Sequence, residues 1–281
     1  MTTHAFTIDV EDWYHGTKDA LSKDIKQKRL DRGLNILLDM LAEYEVRATF
    51  FWLGSAAQEN PHLLKKVVAL GHELGCHGLN HQPVCEMTPE RFRRDTLQAV
   101  SIISNLAGKS VPAYRAPYFS ITQSSLWALE ILIELGFSYD ASIFPAKKGR
   151  YGIPGYSQNI HLAQTVSGSI IEIPMSVRSA CGLLLPISGG GFFRLYPFSL
   201  IRSNFSYLER DNRPGIFYIH PWELDPDRPL GDQTLVQRAK NKIGIQSTQP
   251  KLRKLLDHFC FGTIREVAST ALRAETQPLH D

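Results

Sequence analysis

The sequence predicts an α/β fold, a parallel sheet or barrel with helices on its outside. Three observations predict it. Across the first half, apolar stretches of strand character alternate with amphipathic helical segments, reading β-α-β-α-β-α-β-α-β. The polar residues able to do chemistry fall where strands give way to loops, and the loops at the carboxyl ends of strands are where α/β folds build their sites. The 281 residues and 43% hydrophobic content suffice for one barrel-sized domain or two small ones. No repeat, low-complexity tract or clear linker divides the chain, so one domain over residues 1–281 is the simplest reading, with 230–275 as a C-terminal helical extension.

Taken in order, Ala5–Ile8 is a short apolar strand that ends in the acidic cluster Asp9-Val10-Glu11-Asp12. Leu30–Glu43 carries Leu30, Leu34, Ile36, Leu37, Leu38 and Leu41 at amphipathic helical spacing. Val46–Leu53 is a β-branched and aromatic run, hence a buried strand. Pro61–Leu70 is a helix with proline near its start and Gly71 as its stop. Glu73–His77 is a short strand entering a loop. Thr88-Pro89-Glu90-Arg91 sets a capping hydroxyl ahead of proline, opening a helix that runs to about Ala107. Ala113–Arg115 is a strand end, Ser124–Leu135 a helix closed by Gly136, and Phe137–Asp140 a strand. Beyond it, Ala146–Tyr156 reads as a loop, Ile170–Ile173 as a strand before Pro174, and Ser188–Arg194 as a glycine-rich turn. Pro197–Tyr207 reads as a helix, Ile216–Ile219 as a buried strand, and Thr234–Ile243 and Lys251–Phe259 as helices.

Composition narrows the function. Charged residues are 21% of the chain and the formal net charge is +3, too weak a basic excess to argue for nucleic acid. No Lys/Arg-dense helix points to a membrane surface, and no apolar run approaches the roughly 20 residues that span a bilayer. The N-terminus lacks the basic and apolar regions of a signal peptide, so a cytoplasmic location is expected. The four cysteines, Cys76, Cys85, Cys181 and Cys260, show no CxxC spacing and are expected as thiols. The oligomeric state is open, and a homo-oligomer is compatible with the sequence.

Asp9, His77, Arg115, Asp140 and His220 each lie at or just after a strand end, a shared placement stronger than any one motif. His77 and His81 are four apart, a spacing that puts two imidazoles on one side of a helical turn. With a carboxylate they would make a two-histidine, one-carboxylate set for zinc or a related ion, with positions left for water and substrate. Alone the spacing is weak, and two surface histidines would explain it. The acidic cluster strengthens it: Asp9 and Glu11 share a strand face, and one carboxylate can hold metal while another takes a proton. Arg115 would keep such a base ionised, and Pro117-Tyr118 would fix a loop whose backbone N–H faces an oxyanion. His220, after a dry strand, has the ordinary pKa of a group that protonates a leaving amine. Trp13 and Trp222 each sit beside such a residue. Gly189-Gly190-Gly191 lacks the spacing and Lys-Ser/Thr of a phosphate loop.

From about Phe6 to Trp222 the chain resembles the polysaccharide deacetylase family, the NodB-homology or carbohydrate esterase 4 group. The first family motif is matched by Asp9 as base, and His-x-x-x-His by His77 and His81 as metal ligands. Arg-x-Pro-Tyr is matched by Arg115, Pro117 and Tyr118, and the hydrophobic-His strand by His220 as general acid. The chain is most similar to a branch associated with exopolysaccharide operons, through Asp9-Val10-Glu11-Asp12, Tyr139-Asp140-Ala141-Ser142-Ile143-Phe144-Pro145, Gly189–Arg194 and an extension through Leu255-Leu256-Asp257-His258-Phe259. The resemblance implies a distorted (β/α) barrel of seven strands and a divalent metal, Zn2+ foremost. It also implies removal of N-acetyl groups from amino sugars of a polysaccharide or its precursor, in exopolysaccharide biosynthesis. Two departures stand out. The family's adjacent Asp-Asp is absent, so the metal carboxylate is Glu11 by strand phase or Asp12 by residue type. The family's Asp-Trp pair tuning the acid is also absent, and Asp140 is the substitute, placed at the substrate with Pro117 and Trp222. The rival readings are a cyclic-amide hydrolase on the same barrel and a catalytically silent carbohydrate-binding barrel.

Overall fold

The computed structural model describes residues 2–15, 28–146, 151–180, 182–229 and 242–276. In chain order the elements are β1 (Thr3–Val10), α1 (Leu30–Glu43), β2 (Thr49–Trp52), α2 (Gly54–Glu59), α3 (Pro61–Ala69), β3 (Glu73–Cys76), α4 (Pro89–Ala107), β4 (Ala113–Tyr114), α5 (Trp127–Glu134) and β5 (Tyr139–Asp140). They continue as β6 (His161–Thr165), β7 (Gly168–Glu172), β8 (Val177–Ala180), β9 (Leu183–Pro186), α6 (Gly190–Leu195), α7 (Phe198–Arg210), β10 (Ile216–Ile219), α8 (Ile245–His258), β11 (Cys260–Gly262) and α9 (Ile264–Thr276).

Seven parallel strands in the order β10-β1-β2-β3-β4-β5-β7 curl into a half-barrel, the expected α/β architecture. β6 adds an antiparallel edge on β7, and β11 pairs with the start of β1. Among the described residues no ladder joins β7 to β10. The intervening segment meets β10 there instead: Ser176 Oγ accepts from the Ile216 N–H at 2.7 Å and the Ser188 carbonyl from the Tyr218 N–H at 2.9 Å.

Strand alternation decides what faces inward. Phe6, Ile8 and Val10 of β1, Phe50 and Trp52 of β2, Cys76, Tyr114, Phe217 and Ile219 belong to the large core under the helices. The opposite phase, with Ala5, Phe51, Ala113, Ile216 and Tyr218, forms a second cluster inside the curl. Thr7, Asp9, His77, Arg115 and His220 are in that inward phase. Helix α1 covers the outside with Leu34, Leu37, Leu38 and Leu41 all buried, each burial contributing about 1.5–3 kcal/mol. Thr88 caps α4 as expected, its Oγ1 accepting from the Arg91 N–H at 3.3 Å.

Several local expectations change. Ser188–Arg194 is a turn only as far as Gly189, because Gly190–Leu195 winds into α6. Gly189 has φ 147°, and a Cβ there would stand 1.9 Å from the Tyr218 carbonyl oxygen, so the glycine allows that crossing strand to lie against β10. Helix α2, hairpin β8–β9 and strands β6 and β11 were not anticipated. The expected helix Thr234–Ile243 lies, except for its last two residues, outside the described residues, as does Cys181. Cys76, Cys85 and Cys260 are thiols. No helix among the described residues is long and apolar enough to cross a membrane.

Candidate metal centre with its base and acid

The inward-phase polar residues meet at the carboxyl ends of the strands. Glu11, just past β1, places a carboxylate with His77 and His81 so that one ligand atom of each lies within 4.8 Å of the others, all three residues buried. Glu11 Oε2 is 2.8 Å from His81 Nε2. His77 Nδ1 donates to the Arg115 carbonyl at 2.7 Å, which leaves the Nε2 lone pair for a ligand. The two histidines do not share a helical turn. His77 continues β3, Gly78 has φ 78°, and His81 returns through the left-handed region at φ 57°. Among the alternatives for the metal carboxylate, Glu11 is the one in place. Asp12 is spent elsewhere: Oδ2 accepts from the Arg29 and Leu30 N–H at 2.8 and 3.1 Å, and Oδ1 from the Trp13 N–H at 2.8 Å. Asp12 therefore serves the positive N-terminal end of α1, whose first N–H groups lack helical partners.

This donor set suits a divalent cation. Glu11 Oε2 is buried with no hydrogen-bond donor aligned on it, and two imidazoles face it. Two nitrogens and one oxygen with room for further ligands are what zinc takes in open sites.

Asp9 lies beside this set. Its Oδ1 accepts from Arg115 Nη1 at 2.6 Å, and the same nitrogen donates to Thr7 Oγ1 at 2.9 Å. Arg115 is fully buried, with Phe51 4.2 Å beneath its guanidinium. Burial pushes the Asp9 carboxyl up, but Arg115, His77 and His220 outweigh it and hold Asp9 below its ordinary range. Burial likewise acts against ionisation of Glu11, and His81 overcomes it, so Glu11 is held low. Burial lowers His77 to about 4, keeping it neutral as a ligand must be.

His220 follows β10 and points Nε2 into the site, 3.8 Å from Glu11 Oε1 and 4.0 Å from Asp9 Oδ2. Its Nδ1 lies 2.9 Å from Glu223 Oε2. Burial acts to lower this histidine, but Glu223, then Glu11 and Asp9, raise it to about 9. Trp222 stacks on the His220 ring at 5.1 Å and donates Nε1–H to Glu11 Oε1 at 3.2 Å. Tyr118 and Phe119 take φ 60° and 56°, consecutive left-handed residues that turn the Arg115-Ala116-Pro117 segment over the site. The Tyr118 ring meets His81 edge-on at 4.5 Å, and Pro117 is buried near Gly78.

Asp140 does not join them. It pairs with Glu172 across β5 and β7 and lies in register with Tyr114, the phase that faces the helices. Ser142 Oγ donates to it at 2.5 Å. Burial pushes both Asp140 and Glu172 up, and the Asp140 charge adds to the rise at Glu172. The partner of His220 is Glu223, which the sequence reading missed. A signal existed, since glutamate at the third residue after a helix cap closes a capping box, and Glu223 Oε2 does accept from the His220 N–H at 3.1 Å. Trp13 is buried beside Tyr14, outside the metal set.

Residues 31–139 match the polysaccharide deacetylase family, and residues 141–269 match a domain of unknown function, DUF3473. Along the chain, a polysaccharide deacetylase match is thus followed by a DUF3473 match. Over 95 residues it is 33% identical to a peptidoglycan-N-acetylglucosamine deacetylase of Bacillus cereus, covering 34% of this chain and 34% of that protein. The chain spans only about a third of the length of such relatives, 34% and 37% for two of them. A Mycobacterium smegmatis structure assigned as a polysaccharide deacetylase superposes with TM-score 0.67 at 18% identity, over 99% of this chain and 92% of the other. The PuuE allantoinase structure superposes with TM-score 0.60 at 16% identity, over 99% and 92%. At these identities the likeness shows the fold alone.

Proposed function

We propose that the protein is a metal-dependent hydrolase that removes N-acetyl groups from amino sugars of a polysaccharide or its precursor, acting in exopolysaccharide biosynthesis. The observation that carries this reading is the convergence of Glu11, His77 and His81 beside an Arg115-held carboxylate and a Glu223-held histidine. The similarity to a peptidoglycan-N-acetylglucosamine deacetylase supports an N-acetylated sugar as substrate, and the motif likeness noted in the sequence supports the exopolysaccharide setting.

A divalent cation held by Glu11, His77 and His81, with Zn2+ the best match, would polarise the acetamide carbonyl and make water acidic near neutral pH. Asp9 takes a proton from water as the water oxygen adds to the acetamide carbon, and Arg115 keeps the Asp9 carboxylate ionised and aimed. The left-handed turn at Tyr118 offers its backbone N–H to the developing oxyanion, an interaction whose loss costs on the order of 3 kcal/mol in such sites. His220 gives its Nε2 proton to the departing amine, and acetate leaves. Trp222 walls the acid and excludes water from it. Release of acetate from N-acetylglucosamine oligomers by the zinc-loaded protein tests the reading. Ring opening of a cyclic amide without acetate release would replace it with the rival chemistry.

A further inference from the structure

The candidate site draws on both matched regions as well as on Asp9 and Glu11, which precede them. His77, His81 and Arg115 come from the deacetylase match, whereas His220, Glu223 and Arg194 come from the domain of unknown function. Arg194 is 7% exposed, and its Nε donates to Glu223 Oε1 at 2.7 Å. The other oxygen of that carboxylate holds His220 Nδ1. The guanidinium also stands 5.4 Å from the Trp222 ring, so Arg194 faces two of the groups packed on His220. Arg194 is itself held from the C-terminal side. Its Nη1 donates to the Ile243 carbonyl at 3.1 Å, and Lys251 Nζ on α8 donates to the carbonyls of Arg194 and Phe193 at 2.7 and 3.3 Å.

We infer that Arg194 is a positioning residue for the general acid, and that residues 242–251 act on the active site through it. A buried glutamate with two oxygens could swing between partners. A guanidinium fixed on one oxygen leaves the other for the histidine, as bidentate and charge-assisted contacts do elsewhere. The DUF3473 region is on this account part of the catalytic apparatus rather than an appendage. The inference rests on the reading of His220 as the acid.

The test uses the full chain, zinc-loaded, with Arg194→Met, Arg194→Lys, Lys251→Met and His220→Gln. Turnover of N-acetylglucosamine oligomers is measured with thermal melting and with the His220 ring N–H resonance by NMR, assigned by its loss in His220→Gln. Arg194→Met is expected to lower kcat about tenfold to hundredfold with KM within about twofold, and Arg194→Lys to recover part of it. The His220 Nδ1–H resonance should move or vanish in Arg194→Met. A folded Arg194→Met protein with wild-type kcat, or with lower kcat and an unmoved resonance, overturns the inference. If Arg194→Met does not fold, Lys251→Met on the helix surface carries the test, with a smaller fall in kcat and a moved resonance expected, and no change in either contradicting it. His220→Gln retaining wild-type kcat would sink the acid reading itself, and this inference with it. A His220→Gln loss beside unaffected Arg194 and Lys251 variants would sink only the inference.

Discussion

Arg115 donates to Asp9 across 2.6 Å with both side chains buried, one strand end clamping another. Neither charge would be stable there alone. Asp9→Asn keeps an oxygen for the guanidinium but removes the base, so turnover should fall by about 10²–10⁴-fold while the circular dichroism spectrum is retained. Arg115→Met strips the carboxylate of its partner and should cost about 3–5 kcal/mol in urea unfolding, the penalty of an uncompensated buried charge. An Arg115→Met protein as stable as the parent would show that the pair carries no weight.

Metal should stabilise the fold through Glu11, His77 and His81. A cation at a hundred times its dissociation constant adds about 2.7 kcal/mol. Calorimetry with and without chelator should show that difference as a higher melting temperature for the loaded protein. His77→Ala should abolish it, because His77 supplies an inward lone pair fixed by the Arg115 carbonyl. Equal melting temperatures for the parent in both conditions would argue against a resident ion.

Acid should unfold the protein partly through a histidine far from the site. His4 is fully buried among Phe205, Phe259 and Phe261, and its Nδ1 accepts from the Gly215 N–H at 2.9 Å. Burial lowers it to about 4 from an ordinary 6.5. The folded state favours the neutral ring, so this stability is fully present above pH 6.5 and is lost as pH falls from 6.5 toward 4. At about 1.4 kcal/mol per pH unit the loss is about 3 kcal/mol. His4→Asn retains an acceptor for Gly215 and cannot titrate, so its unfolding free energy should fall less between pH 7 and 4.5. A parallel fall in both proteins would assign the acid sensitivity to other groups.

The acid's turn also leans on α1. A Cβ on Gly33 would stand 1.8 Å from the Pro221 carbonyl oxygen, one residue past His220. Gly33→Ala must push the turn at 221–224 away, at a cost of about 1–3 kcal/mol for overpacking. Melting temperature and turnover should fall together, and a variant that keeps both would mean the turn moves without consequence.

The strand ends and their polar residues were legible because they rest on short-range pattern. Period-2 alternation puts Asp9 and Glu11 in one phase, the unbroken apolar run makes Ile216–Ile219 a buried strand, and the apolar spacing of Leu30–Glu43 gives helix α1 its observed limits. What was not legible depends on neighbours distant in sequence. Asp140 reads as a site residue by position, yet its two-residue strand sets it in the outward phase beside Tyr114, and only the pairing of β4 with β5 shows that. Strand phase favours Glu11 and residue type Asp12, and what separates them is that the N–H groups of Arg29 and Leu30 come back to meet Asp12. Arg194 looked like the end of a glycine turn, and its partner Glu223 lies 29 residues on.

The most direct test of a metal-dependent deacetylase is metal content measured together with acetate release on N-acetylglucosamine oligomers, before and after chelation. The account predicts about one divalent ion per chain, held by the three-ligand set of Glu11, His77 and His81, acetate release that chelation stops, and recovery with zinc. Acetate release unchanged by complete removal of the ion would contradict it.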